Sequence, residues 1–469
     1  RDRAYLLLSS LLFSGSASAD RISAGTAHNL VVRGDSYSFT WGANESGQLG
    51  DGSTLDALNP LNVVNSRYQA INGGIAVTAY GNNNLVLMDD GTLLGWGDNT
   101  SGQLGSGVLY SSLYKPFGDK NEGPDPETDP DAVDDENDED VTEPTNAAIE
   151  FPTEVVDPAG VPIANVVAMA TGSNFSAAIR QDTTVIVWGD LSAFEDVEEE
   201  RYGSEPYRDK YFDPEAEIID SPYLNGDPAE NTELVMRDAA GNPVTGIMDI
   251  AVGDDYLLAL TDQGFVLAWG DNSSGQLADG TYTSRSYPVF VQNTQRQPIS
   301  RITSVAANGS VSMAIRADGF VLGWGGGAVT AVPLNETGQQ ALPLADFVRD
   351  GLGNKISGVR RLALGSSHIL AIKFNNTVIG WGNNSNGQLG DGTNATVEGT
   401  TTVIAGDGKP LGNIYEIAMG DTHSIAARAD GQVFAWGLGE NGRLGDGTNI
   451  NSYYAVKVRD RSNLPFSLY

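Results

Sequence analysis

The sequence predicts an all-β fold, a seven-bladed β-propeller of four-stranded antiparallel blades, and three observations lead to that prediction. The chain of 469 residues contains seven tryptophans, and glycine follows each of them. Successive tryptophans are 55, 92, 81, 55, 57 and 55 residues apart, so a unit of about 55 residues occurs seven times. Short strand-like segments separated by tight turns recur in every unit. Because repetition at a fixed period indicates one array, we expect a single closed ring. The tryptophans are Trp41, Trp96, Trp188, Trp269, Trp324, Trp381 and Trp436.

The last unit shows the order of the strands, here called A to D. Strand A ends at Gly420, strand B starts at His423, and a turn at Asp430-Gly431 leads to strand C, which ends in Trp436-Gly437. Since antiparallel strands alternate in direction, all A–B and C–D loops share one face, here called the loop face, and the B–C hairpins lie on the other. The predicted D strands are 61–64, 151–156, 233–236, 288–291, 345–348, 401–404 and 454–458.

Residues Trp381 to Thr393 read Trp-Gly-Asn-Asn-Ser-Asn-Gly-Gln-Leu-Gly-Asp-Gly-Thr, and four other units contain close copies. Together with Gly-x-x-His before strand B, this order resembles the regulator of chromosome condensation repeat family, in a bacterial secreted type, over residues 22 to about 458. The resemblance implies a seven-bladed propeller independently of the strand count. Units three and five depart from it, because no Gly-Gln-Leu-Gly follows Trp188-Gly189 or Trp324-Gly325.

Two C–D loops are enlarged, at about 108–150 in blade two and 190–232 in blade three, so the insertions are neighbours on the loop face. The formal net charge of the chain is −34. Residues 119–143 have thirteen acidic residues against one lysine, and 190–240 have sixteen against four basic ones. We predict that the first insertion, which includes Asp134, Asp135 and Glu136, is a disordered acidic loop. Such a rim would attract basic surfaces, bind divalent cations weakly, and repel nucleic acids and anionic membranes.

The N-terminal residues 1–19 have the form of a signal peptide, and residues 20–469 form the propeller. Arg1 and Arg3 precede an apolar run, and Ala17-Ser18-Ala19 before Asp20 is typical of a signal-peptidase site. We therefore predict a secreted, periplasmic or cell-surface protein; the alternative is a buried N-terminal strand or helix. No later stretch reaches the ~18 apolar residues of a membrane span.

The three histidines, His28, His368 and His423, occupy the same position, three residues after the glycine that ends strand A. They belong to adjacent blades, so a three-histidine metal site is one interpretation. Equivalent atoms of adjacent blades are too far apart for ligands about 2 Å from one metal, and we expect these side chains instead to bond backbone at the start of strand B. The corresponding residues elsewhere are taken as Asn84, Phe175, Tyr256 and Val311.

The sequence contains no cysteine, no Gly-x-Ser-x-Gly elbow and no phosphate-binding loop. We therefore expect a non-catalytic protein without a cofactor or a metal.

The sequence is compatible with three functions. We predict first a secreted, monomeric binding propeller that holds a protein or extracellular polymer, basic in character, on the loop face. The predicted binding residues are Phe175 and Tyr256 as aromatic anchors, His28, His368 and His423 just beneath that face, and Asp134, Asp135 and Glu136 in the first insertion. The resemblance also implies an alternative, an inhibitor of the β-lactamase-inhibitor propeller type. A guanine-nucleotide exchange factor ranks third, because the secretion signal and the acidic rim argue against it.

Overall fold

A computed structural model describes residues 20–106, 148–157, 159–194, 235–326 and 342–469. Across these residues, consecutive strands form seven antiparallel sheets, and each sheet packs on the next until the seventh meets the first. The predicted seven-bladed propeller is confirmed. Its core consists of the layers between blades, where all seven tryptophans are buried.

The first four blades have the following strands. Blade one contains β1 (Ile22–Ala24), β2 (His28–Val32), β3 (Ser38–Gly42) and β4 (Ala57–Asn62). Blade two contains β5 (Gly74–Tyr80), β6 (Asn83–Met88), β7 (Leu93–Gly97) and β8 (Ile149–Glu154). Blade three contains β9 (Val166–Thr171), β10 (Phe175–Arg180) and β11 (Val185–Gly189), and an antiparallel bridge from Ile186 to Val235 marks the fourth position. Blade four contains β12 (Ile247–Val252), β13 (Tyr256–Thr261), β14 (Val266–Gly270) and β15 (Arg285–Phe290).

The remaining three blades repeat the same order. Blade five contains β16 (Ile302–Asn308), β17 (Val311–Arg316), β18 (Val321–Gly325) and β19 (Leu342–Phe347). Blade six contains β20 (Val359–Leu364), β21 (His368–Lys373), β22 (Val378–Gly382) and β23 (Val397–Thr402). Blade seven contains β24 (Ile414–Met419), β25 (His423–Arg428), β26 (Val433–Gly437) and β27 (Ser452–Lys457). Short 3-10 turns at Ser192–Phe194 and Glu440–Gly442 are the helical segments of the described part, where no helix is long and apolar enough to cross a bilayer.

The D strands begin earlier than predicted. Strand β23 starts at Val397 rather than at residue 401, because the register between strands C and D shifts: Thr401 pairs with Gly380 and Val397 pairs with Gly382. The strand therefore continues past a bulge to reach the glycine that follows Trp381. For the same reason β8 starts at Ile149, inside the segment that was assigned to the first insertion.

The start of the second insertion also belongs to the packed part of blade three. The ring of Phe194 is fully buried, and its centroid lies 5.0 Å from that of Phe175 in an edge-to-face arrangement. The remainder of both insertions, including Asp134, Asp135 and Glu136, lies outside the described residues.

The ring closes without an exchange of strands, because blade seven has four strands of its own and β24 packs against β1. The residues after β27 reinforce this seam. Leu468 N donates to Gly431 O over 2.8 Å, and Leu468 O accepts from Gly34 N over 2.6 Å. The C-terminal segment is therefore hydrogen-bonded to blades seven and one.

The Gly-Gln-Leu-Gly loop, which reads Gly-Gln-Leu-Ala in blade four and Gly-Arg-Leu-Gly in blade seven, connects each blade that has it to the next one. Gln388 O in blade six accepts hydrogen bonds from Trp436 Nε1 over 2.8 Å and from Ser424 Oγ over 2.9 Å in blade seven. Gly390 has φ +64°, and a Cβ there would lie 2.8 Å from Nε1 of Trp436, so glycine is favoured at this close approach. Blade four has Ala278, with φ +49°, at the equivalent position. The same pair of donors reaches the equivalent carbonyl at four other interfaces: Trp96 and Asn84 on Gln48, Trp188 and Ser176 on Gln103, Trp324 and Ser312 on Gln276, and Trp41 and Asn29 on Arg443.

Candidate functional site

The A–B loops of the seven blades surround the mouth of the central channel on the loop face. Backbone hydrogen bonds join neighbouring loops: Thr26 N donates to Gly81 O over 2.7 Å, and Asp421 N donates to Thr26 O over 3.3 Å. Asp254 N donates to Gly309 O over 3.1 Å in the same way. These bonds restrict the loops before any partner arrives, which lowers the ordering cost of binding.

A cavity of about 340 Å³ opens inside this rim, and six of the seven blades contribute to its lining. Glycines bring the backbone to its wall. A Cβ at Gly25 would lie 2.2 Å from Cε1 of His28, and one at Gly420 would lie 2.2 Å from Cε1 of His423. Polar residues of the lining are Thr26, Tyr80, Asp254, Asn308, Ser310, Ser366 and Asp421.

Tyr80 connects blade two with blades four and five at the mouth. Its hydroxyl donates to Asp254 Oδ1 over 2.6 Å and accepts from Gly309 N over 3.3 Å. Ser173 Oγ donates to the same Asp254 Oδ1 over 3.2 Å. Burial, followed by the Asp254 carboxylate, raises the pKa of Tyr80 above its ordinary value, so the hydroxyl remains a donor. The carboxylate of Asp254 is thus held in one position beside the cavity.

The charged residues of the lining are Asp254 and Asp421, and both are acidic. Burial is the largest influence on Asp421 and raises its pKa. Hydrogen bonds from Thr26 and Ser366 and the charge of Arg443 oppose that rise, and the Asp254 carboxylate adds to it. Two carboxylates that share a partly dehydrated cavity repel each other, and a cation between them would relieve the repulsion. The cavity therefore suits an ammonium or guanidinium group.

The three histidines lie beneath the mouth and are fully buried. Each connects its blade to the next: His28 Nε2 is 2.8 Å from Asn84 Oδ1, His368 Nε2 is 2.9 Å from Ser424 Oγ, and His423 Nε2 is 2.9 Å from Asn29 Oδ1. The prediction that these histidines bond backbone was wrong for Nε2, because the partner of each Nε2 is a side chain of the following blade. Burial keeps these rings neutral: it lowers the pKa of His28 to about 4 and that of His368 to about 3.

The two predicted aromatic anchors are also fully buried. Phe175 packs against Phe194, and the hydroxyl of Tyr256 donates to Val311 O over 2.8 Å. Neither ring presents surface to a partner, so their assignment as anchors is corrected. The physical reason is that the first residue of strand B points into the layer between two blades and not toward the loop face.

The alignment of blade two needs a further correction. Asn83 pairs with Gly97 as His28 pairs with Gly42, so Asn83, and not Asn84, corresponds to the histidine position. Strand β5 has seven residues, as β16 has, whereas β9, β12, β20 and β24 have six. Asn83 is the second residue after Gly81, so counting three residues from the glycine misplaces strand B by one residue.

Asp134, Asp135 and Glu136 lie outside the described residues, and their predicted role in binding stays a prediction. In the part of the chain that the structure describes, no group of three or more His, Asp or Glu side chains is arranged to hold a metal ion.

Sequence reasoning missed Tyr80, Asp254 and Asp421. A signal was present, because Asp254 and Asp421 each follow the glycine that ends strand A and therefore start an A–B loop. The residues are 167 positions apart in the chain, and only the closed ring shows that they share a cavity.

Sequence comparison identifies the repeated unit. Two profiles, both described as the regulator of chromosome condensation (RCC1) repeat, match parts of this chain. One matches residues 75–103, 247–276, 359–388 and 414–443. The other matches residues 263–315, 375–427 and 430–466.

Curated relatives align over less than half of their own length. The Ultraviolet-B receptor UVR8 of Arabidopsis thaliana is 31% identical over 215 residues, which is 45% of this chain and 46% of that protein. Protein pim1 of Schizosaccharomyces pombe is 30% identical, over 43% of this chain and 39% of that protein. Probable E3 ubiquitin-protein ligase HERC6 of Homo sapiens is 31% identical, over 42% of this chain and 19% of that protein.

Solved structures share the fold over a longer range. Yeast RCC1 (Prp20), solved bound to Kap60, superposes with a TM-score of 0.58 at 17% identity, over 95% of this chain and 88% of that one. Prp20p from Saccharomyces cerevisiae gives 0.57 at 17% identity, over 96% and 88%. At this level of identity the likeness concerns the fold.

Proposed function

Because the chain belongs to the regulator of chromosome condensation (RCC1) repeat family, we propose that it is a binding propeller that holds a protein partner on its loop face. The observation that carries the proposal is the acidic cavity at the mouth of the channel. Backbone hydrogen bonds join its neighbouring loops, six blades line it, and its two charged residues are carboxylates. A lysine or arginine side chain of the partner would enter it, between Asp254 and Asp421.

We also propose that the protein is secreted, because residues 1–19 have the form of a signal peptide. The acidic insertions would attract a basic partner over long range. Charged insertions on the loop face would raise the rate at which a basic partner arrives. The cavity would then supply the short-range contact. Attraction of this kind is screened beyond about 8 Å at physiological ionic strength, so binding should weaken as salt increases. A polymer that carries amino groups would satisfy the same cavity.

The inhibitor alternative used Phe175 and Tyr256 as anchors on the same face, and their burial removes that support. A guanine-nucleotide exchange factor remains the third candidate function. We propose a binding role and not catalysis, because the polar groups at the mouth are held by one another: Tyr80 and Ser173 both donate to Asp254.

A basic peptide tests the proposal directly. A fluorescent oligolysine peptide and a glutamine peptide of equal length would be titrated against the full chain at low and physiological salt. The Asp254→Asn, Asp421→Asn double variant should bind the lysine peptide about tenfold more weakly, which corresponds to about 1.4 kcal/mol. Changing Asp134, Asp135 and Glu136 to their amides should mainly reduce the salt dependence.

The matched control removes the same charge from the hairpin face. Asp318 and Asp430 lie in B–C hairpins and pair with Arg316 and Arg428. The Asp318→Asn, Asp430→Asn variant should bind the lysine peptide like the wild type. An equal loss in both double variants, or equal binding of the lysine and glutamine peptides, would contradict the proposal.

A further inference from the structure

A second group of charged side chains lies in the channel, at the level where the A strands start. Asp20 precedes β1, Asp249 lies on β12, Arg361 lies on β20 and Glu416 lies on β24. They come from blades one, four, six and seven, which face one another only because the ring is closed. Asp249 is 1% exposed and Glu416 is 7% exposed. Here they are called the channel cluster.

Hydrogen bonds hold most of the channel cluster in place. Arg361 Nη1 donates to Asp20 Oδ1 over 2.5 Å. Arg21 N donates to Glu416 Oε2 over 3.1 Å. Val305 N donates to Asp249 Oδ2 over 3.3 Å, but the other oxygen, Asp249 Oδ1, is buried and has no hydrogen-bond partner among those of residues 20–469 that the structure describes. A buried carboxylate oxygen without a donor is costly, so this atom indicates a missing group.

The charges of the channel cluster do not balance. Three carboxyl groups share one guanidinium, and Asp20, Asp249 and Glu416 all feel its charge. The neighbouring arginines donate elsewhere: Arg21 Nη2 donates to Leu468 O, and Arg360 Nη2 donates to Ile414 O, although the Arg21 charge still lowers the pKa of Glu416 slightly. Burial raises the pKa of Glu416 to about 7, and the Asp20 carboxylate adds to that rise. Burial also raises the pKa of Asp249 well above its ordinary range. One further positive charge would stabilise the ionised carboxylates.

Asp20 is the residue that follows the predicted cleavage site. Its carbonyl oxygen accepts from Val77 N over 2.9 Å, its side chain accepts from Arg361, and the next nitrogen donates to Glu416. The backbone of Asp20 is thus fixed within the channel cluster. The nitrogen of Asp20 is a neutral amide while Ala19 is attached, and a primary amine when it is not. A free α-amino group has an ordinary pKa of about 7.7–8.0 and is mostly protonated at pH 7.

We infer that cleavage between Ala19 and Asp20 supplies the missing charge, and that the new α-ammonium of Asp20 completes the channel cluster. A signal peptidase would add one water across the peptide bond. The hydroxyl joins the carbonyl carbon of Ala19 to make a carboxylate, the Asp20 nitrogen becomes the amine, and the proton released by the acid passes to that amine. Processing would therefore stabilise the seam between blades seven and one. The inference rests on the proposed secretion.

Three N-terminal forms test this inference. The full chain would be secreted from a bacterial host, and its N-terminus would be determined by intact mass. Two further proteins, which start at Asp20 and at Ala19, would be released from a cleavable N-terminal fusion, so that they differ by one alanine and in the position of the amine. We expect the secreted protein to start at Asp20. The Asp20 form should melt about 3 °C above the Ala19 form at pH 7.

Two measurements separate the ammonium from a general effect of chain length. The difference in melting temperature should disappear in an Asp249→Asn, Glu416→Gln background, and it should shrink as the pH rises above the pKa of the amine. Acylation of the α-amine should be at least tenfold slower in the Asp20 form than in the Ala19 form, because burial and ion pairing protect it. This second measurement remains informative even if the double variant folds poorly.

Other outcomes overturn the inference. Equal melting temperatures together with equal acylation rates would show that the amine does not enter the channel cluster. A secreted protein that starts at another residue would overturn the cleavage itself. A protein that starts at Asp20 and shows the stabilisation, but does not bind the lysine peptide, would contradict only the proposed binding function.

Discussion

Two interfaces between blades contain the same buried Trp-Gly pair but are held together by different contacts. Between blades six and seven, Gln388 O accepts from Trp436 Nε1 and Ser424 Oγ. Between blades five and six, Trp381 is equally buried, but its Nε1 has no hydrogen-bond partner among the described residues, which omit 327–341 of blade five. The preceding blade, blade five, is one of the two that have no close copy of the Gly-Gln-Leu-Gly loop.

The interface between blades three and four shows the same departure. Blade three lacks the loop, and within the described part of the chain Trp269 Nε1 in blade four has no hydrogen-bond partner. The second residue of strand B also changes. It is asparagine or serine at the five interfaces where the carbonyl is present, but Leu257 in blade four and Ile369 in blade six. Phe194 packs into the first of these interfaces with Leu257 and Trp269. Apolar contact therefore replaces a pair of hydrogen bonds there.

This comparison shows that the repeat motif acts on the following blade. The loop of one unit satisfies the tryptophan and the polar side chain of the next, so a unit without the loop is followed by a unit without the polar side chain. A buried hydroxyl or amide left without its carbonyl would cost about 1–3 kcal/mol. An apolar residue avoids that cost.

Among the substitutions that test this comparison, truncation of a tryptophan should lower the free energy of unfolding most. Trp436→Ala should lower the free energy of unfolding by about 3–5 kcal/mol, since it removes a fully buried indole and leaves a cavity between blades. Trp381→Ala should cost slightly less, because no hydrogen bond is lost there, and still more than His368→Ala, for which we expect about 1–2 kcal/mol. Urea unfolding would measure all three. Equal losses for Trp381→Ala and His368→Ala would contradict the assigned roles.

Acid should weaken the interfaces that contain histidine. The folded-state pKa of His368 is lowered to about 3 by burial, whereas the unfolded value is about 6.5. The unfolded chain therefore binds more protons below pH 6.5. The contribution of neutral His368 to the free energy of unfolding is complete above pH 6.5 and is lost as the pH falls toward 3. At pH 5 the loss is about 2 kcal/mol.

The matched variant is His368→Gln, which cannot be protonated and keeps an amide near Ser424. Its free energy of unfolding should fall less than that of the wild type between pH 7.5 and pH 5. Parallel pH profiles for the two proteins would show that the buried ring does not control this dependence.

A smaller change isolates the hydrogen bond of the tryptophan. Trp436→Phe removes the donor to Gln388 O, and Trp381→Phe removes an N–H that has no partner. Both changes shorten a buried aromatic side chain by a similar volume. The first should therefore cost about 1 kcal/mol more than the second, by urea unfolding and by faster hydrogen exchange of strand β25. The same loss in both variants would mean that the bond to Gln388 contributes little.

Features of the fold that depend on neighbouring residues were predicted from the sequence, whereas features that depend on residues far apart in the chain were not. The number of blades was predictable because each Trp-Gly pair, each Asp-Gly turn and each glycine that ends strand A is a local signal. The limits of the D strands were not, because the bulge beside Gly382 depends on pairing with Val397. Phe175 and Tyr256 were predicted to reach the surface, and their burial depends on how closely the neighbouring blade packs.

By itself, the sequence determined the all-β class, the seven units, the order of strands in each blade and the face on which the insertions lie. Turn chemistry and the alternation of apolar residues act within a few residues, so a single sequence contains them. Only the tertiary structure decided which atoms meet across the ring. The bond from Trp436 to Gln388 spans 48 residues and that from Tyr80 to Asp254 spans 174. Such contacts depend on the twist and curvature that seven packed sheets accumulate, and no local pattern specifies that curvature.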